Sequence, residues 1–523
     1  MDDPGTQRRA RARLWLGRLV PVLVPALLMA LISARHLATP VLSWDEVATA
    51  DVATRTPAQI WRLAHHIDAA ITPYYFFMHG WTEVFGISEW ALRAPSWIAM
   101  ALTAGLLGAL GARLAGPAAG LLAGVIFALI PQTSRYAQEA RVYAITCLLF
   151  VLATLLLHRL IDRPGARTAL PYGLAVALLG AGHLVALSAL AGHAVIVGLH
   201  WWRTRRTRTV VVWAAAVVVG VLPLAPLALT AAGQVDAQIG WIYGPLTLDD
   251  VLTAPEDIAG SAAVAWLLVG LALLVRDRPH RIVPLAALAL LPALVLGAAA
   301  TAGQPFWVPR YLLVVLPWLA LLAALATLGP TANRRSGRGG VERTPQPAQP
   351  ETTSDSDRHP PGAPRGRRRA GLARAVVVLV AVAWAAWPAQ RTLRETDSHN
   401  GGNYRAAART VARHQQPGDV VLFPPERDLR AGLLYYLRDD PGRPADFLLS
   451  RTAAEAGDLR AVEAPDSAAR LRAQQRVWFF AYGRPRDPTT ARPDLAPVLR
   501  AEFRPVRTWR LSSSTLVLYQ RRP

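Results

Sequence analysis

Leu19-Val-Pro-Val-Leu-Val-Pro-Ala-Leu-Leu-Met-Ala-Leu-Ile32 is followed a short way along the chain by Trp44-Asp45-Glu46. The first stretch, taken as 17–34, is long and apolar enough for one membrane span. The second sets two adjacent carboxylates just past its end. Charge near membrane depth is costly and faces a cavity or a reaction site rather than lipid. The N-terminal arginines before this span resemble the start of a signal peptide, but no small-x-small cleavage site follows Ile32, so it reads as a retained first helix.

The rest of the chain extends the pattern. Of 523 residues 53% are hydrophobic, and the mean hydropathy is +0.26. Soluble domains hold roughly 45–50% apolar residues, and here these residues come in long runs, as in a polytopic membrane protein. The formal net charge of +21 comes from Arg alone, with no Lys. The arginines cluster between apolar segments, so they report membrane orientation rather than nucleic-acid binding. The single Cys147 lies in an apolar run and excludes a disulfide framework.

Apolar segments fall at about 17–34, 93–114, 117–134, 140–160, 169–183, 185–202, 209–231, 260–276, 281–301, 309–329 and 371–389, which predicts about eleven spanning helices. The fifth and sixth are short enough to be one broken helix. With this count the basic connections at Arg8–Arg13, Arg159–Arg167, Arg203–Arg208, Arg276–Arg281 and Arg334–Arg374 all share one side. The positive-inside rule makes that side cytoplasmic. The N-terminus is then inside, and the 35–90 loop, the 132–141 turn, the 304–310 turn and the C-terminal region lie outside.

The expected fold class is mainly α, a polytopic helical bundle with a small C-terminal α/β extracytoplasmic domain. The expected division is a transmembrane domain over 1–330 with its outer loop at 35–90, a disordered Arg/Pro-rich cytoplasmic loop over 331–370, a last transmembrane helix over 371–390 and the extracytoplasmic domain over 391–523. In that domain Asp419–Phe423, Val477–Tyr482 and Thr515–Tyr519 read as strands, and Asn403–Gln415 and Leu429–Arg438 as helices.

Three outer constellations carry chemistry. The first is Asp45-Glu46, followed by Asp68 and Tyr74-Tyr75-Phe76-Phe77-Met78-His79. The second is Ser134-Arg-Tyr-Ala-Gln-Glu-Ala-Arg-Val-Tyr143, in which Arg135 and Glu139 stand four apart and Gln138 and Arg141 three apart. The third is Trp307-Val-Pro-Arg310-Tyr311, with Arg310 where a helix begins and the dipole disfavours a cation. The planar guanidinium fork suits phosphate. A carboxylate can deprotonate a hydroxyl or hold a divalent cation, and the residues alone leave both open. His65 and His66 are adjacent and make a poor metal pair.

The first helix, the Asp-Glu pair, the Tyr-Tyr segment, Ser88-Glu-Trp-Ala-Leu-Arg-Ala-Pro-Ser96 and Ser134–Tyr143 together resemble the C-type membrane glycosyltransferases. Within that class the likeness is to actinobacterial mannosyltransferases, related to protein O-mannosyltransferases and to the lipid A aminoarabinose transferase. It covers about residues 15–330, and Arg310-Tyr-Leu-Leu313 also fits. The resemblance implies an inverting transfer of a sugar, mannose first, from a polyprenyl-phosphate donor in the cell membrane to an extracytoplasmic protein, lipid or glycan. It implies Asp45 as base or metal-linked carboxylate with Glu46 beside it, and no cofactor unless Mg or Mn is held by these two. It places Arg135, Gln138, Glu139, Arg141, Tyr143 and Arg310 near the donor phosphate, and Asp68, Tyr74, Tyr75 and His79 near the acceptor or in a supporting layer. Ile71 stands where such relatives often carry His. The alternatives are a transporter or lipid flippase, or an inactive scaffold. A transporter would show midplane polar residues and internal repeats, and here only His183 and His193 come near the midplane.

Overall fold

A computed structural model describes residues 4–240, 244, 246–329, 365–399, 401–425 and 427–523. Residues 331–364, most of the expected disordered loop over 331–370, lie outside these residues. Residues 365–370 are helical, so the last long helix starts earlier than expected.

The first half of the chain supplies α1 (Pro4–Ala34), α2 (Trp44–Ala53), α3 (Pro57–His66), α4 (Thr72–Phe85), α5 (Glu89–Ala115), α6 (Pro117–Leu129), α7 (Pro131–Ala137), α8 (Tyr143–Asp162), α9 (Ala166–Gly182), α10 (Leu190–Thr204), α11 (Thr207–Val221), α12 (Ala225–Ala232) and α13 (Val235–Ile239). There follow α14 (Leu248–Ala259), α15 (Ala262–Leu273), α16 (Pro279–Thr301), α17 (Leu316–Leu328) and α18 (Arg365–Thr392). Each expected apolar segment falls on helix. Among the described residues seven helices are long and apolar enough to cross a membrane, or up to nine if each of two sharply bent pairs is one span. The apolar part of α1, Leu19–Ala34, and α9 are shorter. α9 and α10 are separate helices joined through an extended His183, not one broken helix.

Small residues set how closely the helices pack. Pro25 has no N–H, so the Pro21 carbonyl loses its partner within α1. Gly108 of α5 lies against that carbonyl, and Gly120 of α6 lies against the Gly108 carbonyl. A side chain at either glycine would overlap backbone. In a bilayer such close approach replaces the hydrophobic effect as the source of helix association.

One bend decides where the site forms. Pro131 forces Ile130 into an extended conformation, φ −62° and ψ 129°, and α7 turns 69° away from α6. The expected third span is therefore broken. Its last two turns and the irregular segment 138–142 fold inward across the end of the bundle that carries α2.

The C-terminal region adds α19 (Tyr404–His414), α20 (Arg427–Tyr436) and β1 (Val420–Leu422), β2 (Ala445–Asp446), β3 (Leu449–Arg451), β4 (Val462–Glu463), β5 (Arg476–Tyr482), β6 (Phe503–Arg510) and β7 (Ser514–Arg521). A five-stranded sheet has the order β2-β1-β5-β7-β6, parallel across β2-β1-β5 and antiparallel beyond. β5 is buried on both faces, which explains its unbroken apolar run. Trp478 and Phe480 join the main core with α19 and α20, while Val477, Phe479 and Ala481 face a smaller core on the other side. α20 packs on α2, so this region closes over the end of the bundle.

Replacing Gly108 by Val should lower the thermal midpoint of the detergent-solubilised protein by several degrees. Gly17→Val, at a site open to its surroundings, should leave the midpoint within about a degree, because substitutions away from packed features cost little.

Candidate active site

Ser43, Asp45 and Glu46 are set by one capping box. Ser43 Oγ accepts from the Glu46 N–H at 3.2 Å, and Glu46 Oε2 accepts from the Ser43 N–H at 2.9 Å. Ser43-Trp-Asp-Glu46 has the sequence form of such a box. The box turns the Glu46 carboxylate back under α2 and leaves Asp45, one residue earlier, facing the other way.

Glu46 is fully buried. Arg93 of α5 grips it with two bonds, Nε to Oε1 at 2.7 Å and Nη2 to Oε2 at 2.8 Å. The Ala140 N–H also donates to Oε1, at 2.9 Å, and His399 Nδ1 lies 3.4 Å from Oε2. Arg93 spends its remaining donors on the carbonyls of Leu37, Pro40 and Val41. Burial would push the Glu46 carboxyl up, but the charge and hydrogen bonds of Arg93 overrule it and hold the carboxyl well below its usual range. Glu46 therefore has neither a free lone pair nor access to substrate. This corrects its expected place as a catalytic or metal-binding group: it is an anchor.

Asp45 opens into a cavity of about 1470 Å³. Every connection expected on its side contributes to the wall: 43–71, 132–143, 183–185, 228–239, 304–311 and 393–399, with Ala431, Leu459, Arg460 and Tyr482 from the C-terminal region. Its side chain is 39% exposed, with Arg141 Nη2 3.6 Å from Oδ1. Burial again acts upward, but Arg141, Arg310 and Arg135 outweigh it, and the Asp45 carboxyl sits below its ordinary range. Arg141 Nε and Nη1 and Arg310 Nε are buried without a hydrogen-bond partner among the described residues. Buried guanidinium donors without acceptors are costly, and their position on this wall suits an anion.

Arg135 ion-pairs with Glu139 at 2.9 Å, and Ser43 Oγ donates to the other Glu139 oxygen at 3.3 Å. Burial raises the Glu139 carboxyl, with Arg135 opposing. Tyr143 lies on the wall beside His183 and Tyr311, with the Arg310 guanidinium 6.0 Å from its ring centre.

Of five other expected residues, Asp68 lines the cavity, and Gln138, Tyr74, Tyr75 and His79 do not. Gln138 is buried and donates to the carbonyls of Ser33 and Arg35, where it ties off the end of α1 instead of facing a phosphate. Asp68 reaches the wall in a left-handed turn, φ 62°, while Tyr75 sits behind it and donates to its Oδ2 at 2.7 Å. Tyr74 is buried and does not line the cavity, and His79 Nδ1 meets the Ala53 carbonyl at 3.0 Å. Helix periodicity explains this: α4 turns Tyr74, Tyr75 and Met78 inward against α2 and α3. Arg93 and His399 were not expected. The first lies in a quoted motif but carries no role there, and the second lies 353 residues from its partner.

Among the described residues no group of three or more His, Cys, Asp and Glu side chains is placed to hold a metal ion. The donor set around Asp45 is cationic and does not fit a divalent cation. His193 is bound by Thr154 and Tyr172 at 2.9 and 3.0 Å within the bundle, a packing role. A second cavity of about 340 Å³ lies at the opposite end, where Arg113 pairs with Asp162 and Arg281 with Asp277.

The architecture, a polytopic bundle capped at one end by a small mixed domain, is shared with a solved membrane protein. ArnT from Cupriavidus metallidurans bound to undecaprenyl phosphate superposes with a TM-score of 0.55 at 14% identity, over 95% of this chain and 97% of that one. The apo state of the same protein gives 0.57 at 15%, with the same coverage. A family model described as dolichyl-phosphate-mannose-protein mannosyltransferase matches residues 72–229. That segment contains Arg135–Tyr143 but neither Asp45 nor Arg310. No curated protein matches the sequence.

Arg93→Ala should destabilise the protein by about 3–5 kcal/mol, the usual result of leaving a buried charge unpaired, read as a large drop in thermal midpoint. Burial pushes the His399 imidazole down to about 3, with Arg135 acting in the same direction. The unfolded chain takes up this proton near pH ~6.5, so His399 withdraws stability as the pH falls from there toward 3. Thermal midpoints measured at pH 7 and pH 5 should fall on acidification, and fall less in His399→Gln.

Proposed function

We propose that this protein is an inverting membrane glycosyltransferase that moves a sugar, mannose first, from a polyprenyl-phosphate donor to an extracytoplasmic acceptor. The observation that carries this reading is the pairing of buried, unpartnered Arg141 and Arg310 donors with a half-exposed Asp45 on one cavity wall. The N-terminus is then cytoplasmic, and the cavity and C-terminal domain are extracytoplasmic, in keeping with the alternation of arginine-rich connections along the sequence.

The residues divide the work. Arg141 and Arg310, with Arg135 behind, receive the phosphate and neutralise the charge it gains as its bond to the anomeric carbon breaks. Asp45 takes the proton of the acceptor hydroxyl as its oxygen bonds that carbon from the opposite face, which inverts the centre. The prenyl chain leaves past Ala228, Ala231 and Ala232 of α12, a helix little covered by the rest of the protein. The same guanidiniums explain the timing. Empty of phosphate, they hold Asp45 low and make it a weak base. A bound phosphate cancels their field and restores its basicity when an acceptor has something to attack. The match to a mannosyltransferase family model supports mannose as the sugar.

The test uses membranes bearing the protein, radiolabelled polyprenyl-phosphate mannose and a cell-envelope extract. Asp45→Asn should abolish transfer, and Arg141→Ala should lower kcat by about 10²–10³-fold, as for loss of one charge-stabilising donor. Full transfer by Asp45→Asn, or none by the wild type with several sugar donors, would sink the reading.

A further inference from the structure

Trp44 and Tyr482 come from opposite ends of the chain and meet at the cavity. Their ring centres are 5.5 Å apart and their planes cross at 74°, so they form two walls of a corner. Each keeps a large open surface, 48% for Trp44 and 42% for Tyr482, and both line the same cavity as Asp45. Trp44 is also the residue next to Asp45, in the first turn of α2. Large aromatics at a packed junction normally bury most of their area. These two leave much of theirs facing the space in which the acceptor must approach the base.

The two sides of the cavity differ. Toward α12 and α13 the wall is mostly Ala228, Ala231, Ala232, Val235 and Ile239, small and aliphatic as an isoprenoid tail requires, with Asp236 and Gln238 of α13 the polar exceptions. Toward the C-terminal region the wall carries Trp44 and Tyr482, together with Ala431, Leu459 and the exposed Arg460. An acyl chain gains nothing particular from the second wall. A pyranose does: its C–H face packs on an aromatic face, and its hydroxyls take a guanidinium or phenol as partner.

Resting on the glycosyltransferase reading, we infer that the Trp44–Tyr482 corner is the acceptor subsite and that the acceptor is a carbohydrate whose sugar ring stacks there, with the hydroxyl to be glycosylated turned toward Asp45. The C-terminal domain then selects the acceptor and the bundle selects the donor. Arg460 is a positioning residue for the ring's hydroxyls.

The full-length protein in membranes would be given polyprenyl-phosphate mannose with either of two acceptor panels, mannose- and arabinose-containing oligosaccharides or serine/threonine peptides. Transfer to oligosaccharides is expected. Trp44→Ala and Tyr482→Ala should each raise the KM for the oligosaccharide about three- to tenfold, the range for loss of one aromatic contact. The KM for the donor should move less than twofold, and Trp44→Phe should recover most of the loss. A merely structural role would shift both constants together. Transfer to peptides only, or an unaltered oligosaccharide KM in both alanine variants, would overturn the inference. Release of mannose from the donor without acceptor, abolished in Asp45→Asn, separates the two levels. If it occurs while the acceptor prediction fails, the enzyme reading stands and the subsite falls. If neither release nor transfer occurs, both fall.

Discussion

The buried pair between Glu46 and Arg93 is the constraint on which the rest depends. An isolated charge cannot be held at 0% exposure; it persists only if every lone pair and donor is used. Here all are. Glu46 takes bonds from Arg93, Ser43 and Ala140, and Arg93 serves the carbonyls of Leu37, Pro40 and Val41. One ion pair thereby fixes four pieces of chain: the exit of α1, the start of α2, the start of α5 and the segment between α7 and α8. Those pieces carry Asp45 and Arg141, and Arg135 lies in the last turn of α7 just before the fourth. A desolvated, fully bonded joint is stiff, and a reacting centre benefits from groups that need no rearrangement when charge develops.

Two carboxylates one residue apart thus have opposite fates, and helix geometry is the reason. Successive side chains on α2 point about 100° apart, so one can be sealed below while the other faces solvent. Asp45 and Glu46 both feel arginine, but to different ends. For Glu46 the partner is permanent. For Asp45 the nearest cation stands off at 3.6 Å with donors to spare, an attraction that a stronger anion can take over.

Much of this was legible in the sequence because bilayers impose length and charge rules on it. The apolar runs fell on helices, and β1, β5 and β7 and the helices α19 and α20 lay where periodicity put them. Asp45, Arg135, Arg141, Tyr143 and Arg310 converge on one wall. What remained hidden depended on direction and distance. Which of Asp45 and Glu46 turns inward follows from the capping box, a readable signal that needs Ser43 to be taken together with Glu46. Gln138 reads as one more polar residue in a charged turn, yet the bend at Pro131 aims it at the end of α1. His79 and Tyr74 sit in an aromatic run whose buried face is set by α2 and α3. The place of His399 could not be inferred at all, because nothing local links it to Glu46.

His399 also fixes an order of events during synthesis. Glu46 emerges early, Arg93 soon after and Ala140 later, but the last member of the joint follows α18, more than two thirds of the way along the chain. A nascent chain can form the charge pair long before it can cover it. Until α18 is inserted and the segment behind it arrives, the pair has an uncovered side, and the cavity lacks the wall supplied by Leu393–His399 and Tyr482. The cavity is completed from the far end of the chain, so a chain cut short between residues 310 and 399 carries Arg135, Arg141, Arg310 and Asp45 without the enclosure that gives them their strength.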